Sequence, residues 1–528
     1  MSSMHKPSKS GYWLDQIAAD IIKNHPEGEI IVSSGVSPSG SYHIGRMREV
    51  LTADAIAWAL REAGRKARHL HFVDDFDVFR KVPANLPKTH EKYLGMPVYL
   101  VPDPIGDCHG SYADHYFMEF MDIANNIVTD IEVLRANQLY RQGKFTDKIE
   151  QSLERLDDVK QIITDVSGRK LEEDWVPVQL LSDNNSFKEW SFTGWDKQKQ
   201  VIKYRARDGS GGELDYTRGR VKLDWRLDWP ARWSIWNVTV EPFGKDHATK
   251  GSSYDTGSTL IREIFGGTPP YPVPYEFIFP AGESKKISGS AGTELTPGAA
   301  LEVMPAELLR YFVLRSKPSR TLQFDPGLGL YNLVEEYAKV EDAVESGEGH
   351  EFEHAYRTSS AISRTEGVDR IISKVPFTHL VSAYQTSQGD ISEAINVLDR
   401  TGYSEALASQ KKVIEKEFDF VKNWLAMYAP EEVKFEVQKS LPKVELSCEQ
   451  KVFLSQLAEA IEAHDKPDGL AMHNLIYETK DKAGLSPQEA FQAIYRVILG
   501  KESGPKAGWF LASLDKEFLV KRFNEAVK

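Results

Sequence analysis

Cysteine is nearly absent from this chain: its 528 residues include two, Cys108 and Cys448, far apart in sequence. That excludes a disulfide framework and any cysteine-rich zinc module, and it predicts a cytoplasmic setting. Long apolar runs are missing as well. Nothing approaches the roughly 18 residues of a membrane span. The opening MSSMHKPSKSGYWLDQIAADII has neither the apolar core nor the cleavage site of a signal peptide. No internal repeat and no low-complexity tract occurs. Nor is there an excess of positive charge, since the formal net charge is -13. A nucleic-acid partner would therefore need a local basic face. What remains is an ordinary globular composition, 41% hydrophobic and 27% charged, on a chain too long for one core.

The first third reads as α/β. EIIVSSGV is a buried strand, and REVLTADAIAWALREAG places Val50, Ala53, Ile56 and Leu60 at helical spacing before Gly64. KARHLHFVDDFDVF is the next strand with an acidic loop after it. Strand, helix, strand at this spacing is a βαβ unit, hence a parallel sheet with a right-handed crossover. Residues 111–232 read as an insertion, helical and then polar and irregular, between sheet halves at 1–110 and 233–325. Residues 326–528 read as a helical domain, with 3.6-period apolar faces in LYNLVEEYAKVEDAV and KKVIEKEFDFVKNWLAMY and a polar loop or linker at VESGEGHEFEHAYRTSS; in LSPQEAFQAIYRVILG, Ser486, Pro487 and Glu489 form a helix start with a capping box.

Three segments carry candidate chemistry. SSGVSPSGSYHIGRMREV, Ser33 to Val50, is a small-residue turn between a strand and a helix, at the carboxyl end of the sheet where ligands bind in open α/β folds. Its glycines allow close backbone approach, the helix N-terminus favours an anion, and His43 and Arg46 add donors; phosphate is the natural ligand, although such a turn can equally be structural. EPFGKDHATKGSSYDTG offers Gly244, Asp246 and His247 to hydroxyls or phosphates. AGESKKISGSAGTE is a basic Ser/Gly loop after an apolar strand, and in isolation reads as a linker.

Order and separation add more than any one piece. A His-Ile-Gly turn after the first strand and a Lys-x-Ser-x-Ser loop after the last resemble the two signatures of class I aminoacyl-tRNA synthetases. SGVSPSGSYHIGRMREVLTADA, DDFDVFRKVP, KLDWRLDWPARW, PFGKDHATKGSSYDTG, PYEFI, KKISGS and LRYFVLRSKPSRTLQFDPG occur in the order of the archaeal-type class I lysyl-tRNA synthetases, and YRVILGKESGPKAGWFLASLD resembles that family's C-terminal end. The resemblance thins at residues 111–205 and 345–480. It implies a Rossmann-like catalytic domain with a large insertion that contacts the acceptor stem, followed by an all-α anticodon-binding domain. It further implies that lysine is activated with ATP, accompanied by Mg²⁺, and transferred to the 3′ end of tRNA(Lys) by a cytoplasmic monomer with no membrane partner.

Residue by residue, the resemblance assigns the ATP site to Pro38, His43, Gly45, Arg46, Gly244, Asp246 and Lys286. Lys286, Ser288 and Ser290 contact the phosphates and, with His43 and Gly45, carry catalysis. Lysine falls to Gly35, Ser37, Asp74, Trp225, His247 and Tyr275. A desolvated ammonium needs a carboxylate or an aromatic face, and Asp74, Asp75 and Asp77 together with Trp225, Trp229 and Tyr275 supply both. The tryptophans can equally be core and the aspartates helix caps. Trp424, Tyr428 and Trp509 are available to stack anticodon bases or to fill the core.

Three departures from the family stand out. Arg46 occupies a position expected to be smaller or less charged. The loop KISGSA lacks a second basic residue, with Lys285 just before it. The insertion has no cysteine where many members carry paired CxxC zinc knuckles, so no structural zinc and no metal ligand is expected, and that subdomain is packed or loose. A class I synthetase for glutamate or arginine, or a non-catalytic tRNA-binding relative, remains as an alternative; a glutamate pocket would want an arginine where this chain offers aspartates and aromatics.

Overall fold

The structure is a computed structural model that describes residues 11–282, 296–363, 370–464 and 467–528. The chain divides into two compact units. One comprises Met1–Ala300, Leu309–Phe324 and His354–Glu366; the other comprises Leu301–Leu308, Asp325–Glu353 and Gly367–Lys528.

In the first unit, α1 (Trp13–Asn24) precedes β1 (Ile30–Val36), α2 (Ile44–Glu62) and β2 (Ala67–Val73). The run IIVSS at the start of β1 is buried throughout, as a strand covered on both faces requires. β1 and β2 pair in parallel from Ile30↔Ala67 to Val36↔Val73, the βαβ unit expected from the sequence. α3 (Tyr112–Ile127) leads into β3 (Glu132–Arg135), which pairs in parallel with β2. The span read as an insertion from residue 111 thus contributes a helix and an edge strand to the main sheet, and the excursion begins after Arg135. That strand is short and only partly buried, so it carries little apolar signal of its own.

The excursion holds α4 (Ala136–Arg141), α5 (Thr146–Glu154), α6 (Leu156–Ser167), β4 (Val178–Leu180), β5 (Trp190–Asp196), β6 (Val201–Ala206), β7 (Gly211–Asp215), β8 (Val221–Leu223) and α7 (Trp225–Trp236). β5, β6 and β7 form a three-stranded antiparallel sheet. Packing holds it without cysteine: Ile202 and Leu214 join the core that contains Phe72 and Trp233, and Trp190 stacks on Tyr204 with ring centroids 4.0 Å apart.

β9 (Val240–Gly244), α8 (Ser253–Glu263) and β10 (Tyr271–Tyr275) complete a five-stranded sheet of order β10-β9-β1-β2-β3. Its pairings are all parallel. Strand order reverses between β1 and β9, and the crevice outside their carboxyl ends is where such sheets take ligands. β11 (Ile278–Pro280), α9 (Pro297–Leu301), α10 (Ala306–Leu314) and β12 (Leu322–Phe324) follow, with β11 parallel to β12. The buried Asp54 of α2 accepts hydrogen bonds from Thr129 N–H at 2.9 Å and from Arg310 Nη1 at 2.6 Å, tying α2 to α10.

The remaining helices are α11 (Leu328–Ser346), α12 (Glu353–Ser359), α13 (Phe377–Thr386), α14 (Ile391–Arg400), α15 (Ser404–Met427), α16 (Cys448–Ala463), α17 (Gly469–Ala483), α18 (Pro487–Leu499), α19 (Ala507–Ser513) and α20 (Lys516–Val527). All of these but α12, which falls in the first unit from His354 on, make the second unit helical. α18 starts as the sequence predicts: Ser486 caps it, Pro487 opens it and Glu489 closes the capping box. Trp424 is fully buried and donates to the Pro326 carbonyl at 2.8 Å, which makes it core.

Candidate active site

A cavity of about 1040 Å³ lies at the carboxyl ends of β1, β2, β9 and β10. Gly35, Ser37, His43, Gly45, Arg46, Asp74, Trp225, Asp246, His247 and Tyr275 all line it. Ten residues separated by as many as 240 positions in sequence thus meet at one place. Pro38 and Gly244 do not face the cavity; both are buried behind its wall. Lys286, Ser288 and Ser290 lie outside the described residues.

The turn before α2 is built for close approach. His43 is the extended N-cap residue, and its side chain does not cap the helix. The imidazole lies against the Gly45 backbone: a Cβ there would sit 2.9 Å from His43 Nδ1. Gly45 is thus required by contact with its neighbour, and the first turn of a 19-residue helix is left open to an anion. Gly244 plays a related part, because a Cβ would come within 2.6 Å of Asp246 Oδ1. Arg46, the departure from the family pattern, braces the turn. Nη1 donates to the Ser37 carbonyl at 2.8 Å and Nη2 to Ser39 Oγ at 3.1 Å.

The three aspartates after β2 have separate fates. Asp75 is buried and accepts from Arg135 Nε at 2.7 Å and the Asn137 N–H at 2.8 Å, so it holds the fold. Asp77 lines the cavity and pairs with Lys222 at 3.2 Å. Asp74 also lines the cavity, and it shares Arg232 with Asp228. One guanidinium serves two buried carboxylates. Asp228 also has Lys222 and the Tyr140 hydroxyl and is held below the ordinary range, whereas burial drives Asp74 upward.

The aromatic wall is divided in the same way. Trp229 is buried and donates to Glu241 Oε1 at 2.8 Å, which makes it a core residue. Trp225 lines the cavity, stacked on Trp229 at 5.5 Å and with His247 6.3 Å away. Tyr275 lines it too and donates through its hydroxyl to Glu49 Oε2 at 2.6 Å.

Glu49 is the residue that sequence reasoning missed. It follows Gly45 by one helical turn, so α2 presents both on one face. Its Oε1 accepts the Gly35 N–H at 2.8 Å, and it lines the cavity. Enclosure in the wall pushes its carboxyl up to about 8, with Glu241 and Asp74 adding like charge. A glutamate inside a helix ordinarily reads as a solvated face; the one available clue was its spacing from His43 and Gly45. On the other side of the balance, Arg80, Lys81, Arg169 and Arg226 also line the cavity, the first three exposed.

A second cluster lies in the loop before α3 and the first turn of that helix. Ligand atoms of Asp103, Cys108, His109 and His115 all fall within 4.8 Å of one another. Cys108 Sγ is 3.1 Å from Asp103 Oδ2 and from His109 Nδ1, and 3.4 Å from His115 Nδ1. His115 Nδ1 is 3.3 Å from Asp103 Oδ1. Tetrahedral zinc bonds of about 2.0–2.3 Å place ligand atoms roughly 3.3–3.6 Å apart. Some of these separations lie near that range and others fall outside it, and the spacing does not decide the expectation of no metal ligand. The β5–β7 region contains no cysteine, whereas this cluster brings one cysteine together with two histidines and an aspartate.

Residues 11–365 match the family model for class I (K) tRNA synthetases. The chain belongs to the class I lysyl-tRNA synthetases. The lysine–tRNA ligase of Archaeoglobus fulgidus is 39% identical to the synthetase over 98% of this chain and 100% of its own length. That of Methanosarcina barkeri strain Fusaro is 38% identical over 98% and 97%. That of Pyrococcus horikoshii is 36% identical over 97% and 99%. A glutamate tRNA ligase structure from Elizabethkingia meningosepticum aligns with the synthetase over 95% of this chain and 99% of its own at 14% identity, with a TM-score of 0.43.

Proposed function

We propose that the chain is a lysine–tRNA ligase whose substrate ammonium is read by Glu49 and Asp74. The observation that carries this is a cavity wall with two carboxylates, the half-buried Glu49, which has no cation partner among the described residues, and the buried Asp74, which shares its cation, beside the aromatic faces of Trp225 and Tyr275. Burying an unpaired carboxylate is costly, and a cationic ligand removes that cost. Lysine is such a ligand. A glutamate side chain would instead set a third carboxyl group against the same wall.

The chemistry needs placed donors rather than a covalent nucleophile. The lysine carboxylate attacks the α-phosphorus of ATP, and pyrophosphate leaves. A ribose hydroxyl at the tRNA 3′ end then attacks the adenylate carbonyl, and AMP leaves. Negative charge grows on oxygen in both steps. His43 and the open first turn of α2 face the phosphates in this reading, as do Lys286, Ser288 and Ser290, with Mg²⁺ accompanying ATP. Asp246 and His247 face the ribose and the amino acid. The exposed Arg80, Lys81 and Arg169 meet the incoming polyanion, which gives an acidic chain the local basic face that its net charge demands. The helical second unit binds the anticodon, and the synthetase acts as a cytoplasmic monomer. Among the described residues no helix is long and apolar enough to cross a membrane.

The experiment is charging of tRNA with labelled lysine, glutamate and arginine in parallel. Lysine alone is expected to be esterified. Charging with glutamate alone would overturn the substrate, and charging with none would overturn the activity.

The same reading places a zinc ion on Asp103, Cys108, His109 and His115, closing the loop before α3. About one zinc per chain is expected by elemental analysis, and C108S combined with H115A should remove it and lower the melting temperature. A chain that binds no zinc and gains no stability from it contradicts this assignment.

A further inference from the structure

Arg48 follows Met47 on α2, and the whole residue is only 1% exposed. Among the described residues its hydrogen bonds all run to backbone carbonyl oxygens. Nη1 donates to Phe277 O at 3.4 Å. Nη2 reaches Lys317 O at 3.3 Å, Pro318 O at 2.9 Å and Arg320 O at 2.6 Å. A buried cation satisfied by dipoles alone is an expensive arrangement, and burial lowers Arg48 to about 10. A merely structural position on a helix is filled more cheaply by an apolar residue, so what Arg48 joins matters.

It joins α2 to both ends of one excursion of the chain. Phe277 immediately precedes β11, and residues 317–320 immediately precede β12. Between them lies the segment with the KKISGS motif. The two ends also hold each other: Glu276 N–H donates to Pro318 O at 2.9 Å, and Leu322 N–H to Phe277 O at 3.2 Å. Phe277 and Ile278 line the cavity. The lysine side of the site has its own supports. β10 pairs with β9 along its full length, up to Tyr275↔Gly244, and Glu49 ties Tyr275 to Gly35. Beyond Tyr275 that pairing stops, and the hold on Phe277 passes to Arg48 and β12.

We propose that Arg48 is a positioning residue for ATP: by clamping the Phe277 and Lys317–Arg320 carbonyls against α2, it sets the distance between the His43–Gly45 turn and the strand leading into the KKISGS segment. One guanidinium can reach several carbonyls at once in a fixed plane, and an ammonium cannot, so lysine is no substitute here. The clamp acts on the nucleotide half of the cavity and leaves the ammonium-binding half to the sheet. This inference rests on the placement of ATP proposed above.

The test is aminoacylation kinetics of R48K and P318G, with H43A as a control on that placement. R48K keeps the charge and loses the multiple bonds. P318G loosens the accepting turn without touching the cation, and so remains informative if R48K does not fold. Expected is a rise of tenfold or more in the KM for ATP for R48K, a smaller rise for P318G, and a KM for lysine within twofold of the parent in both. A purely structural arginine would lower the melting temperature and the active fraction and leave both KM values alone. That result, or equal rises in both, overturns the inference. If H43A shifts the KM for ATP while R48K and P318G do not, the role of Arg48 alone falls. If none of the three shifts it, the ATP placement falls and this inference with it.

Discussion

Glu49→Gln is expected to raise the KM for lysine about 30- to 100-fold and to leave the KM for ATP within about twofold, on the scale of a charged hydrogen bond in an enclosed site. The substitution preserves the shape of the side chain and most of its bonds: a glutamine carbonyl can still accept from Gly35 N–H or the Tyr275 hydroxyl. What it removes is the charge opposite the ammonium. The pH dependence supplies an independent check. Free Glu49, held up to about 8, is protonated at neutral pH, and lysine binding requires it ionised. The lysine ammonium stays charged throughout this range. The KM for lysine in the parent therefore falls as pH rises from about 6 towards 8, by up to tenfold per unit, and then levels. In the glutamine variant the dependence flattens. An unchanged KM for lysine in Glu49→Gln would show that the ammonium is read elsewhere in the cavity.

His71→Asn is expected to cost less stability in acid than at neutrality: its destabilisation relative to the parent should shrink by about 2 kcal/mol between pH 7 and pH 5. Behind the β1 end of the site, Ser34 Oγ lies 2.7 Å from His69 Nε2 and 2.8 Å from His71 Nδ1. A hydroxyl between two imidazoles can donate to one and accept from the other, and the ring it donates to must be neutral. Burial pushes His69 down to about 4 and His71 to about 3. A base whose folded value lies below its unfolded value of about 6.5 stabilises the fold above that value, and the contribution is lost as pH falls. Glu49 and Glu241 shift the opposite way, up to about 8 and about 7, and so favour the fold as pH falls. The parent curve therefore mixes both signs, and the difference between parent and variant isolates the histidine. Denaturant unfolding at the two pH values measures it; a difference that is constant with pH would mean that His71 is not held neutral.

Much of the site was legible because its motifs are local. A small-residue turn between strand and helix is a property of adjacent residues, and so are a Ser-Pro-x-Glu helix start and a period-3.6 apolar face. The lining residues His43, Gly45, Trp225, His247 and Tyr275 were reached that way, through motifs whose order resembles a known family. Edge strands are less legible. Glu132–Arg135 has four residues and little apolar content, and it becomes a strand because β2 offers it a partner. The tertiary context overrides a weak local preference.

By itself, then, the sequence determined the α/β and all-α halves, the parallel sheet and the family of the signature segments, because backbone periodicity and turn chemistry act over neighbouring residues. The tertiary structure alone decided which charges face one another. Asp74 meets Arg232 across 158 positions, and Glu49 meets Tyr275 across 226. Asp75 became a fold-holding anchor, Arg46 a brace for the turn and Arg48 a clamp, though all three are ordinary charged residues in the sequence. Asp103, Cys108, His109 and His115 were brought together only when the loop folded against the start of α3. Electrostatic roles depend on distance and burial, and neither is written in the local pattern of a chain.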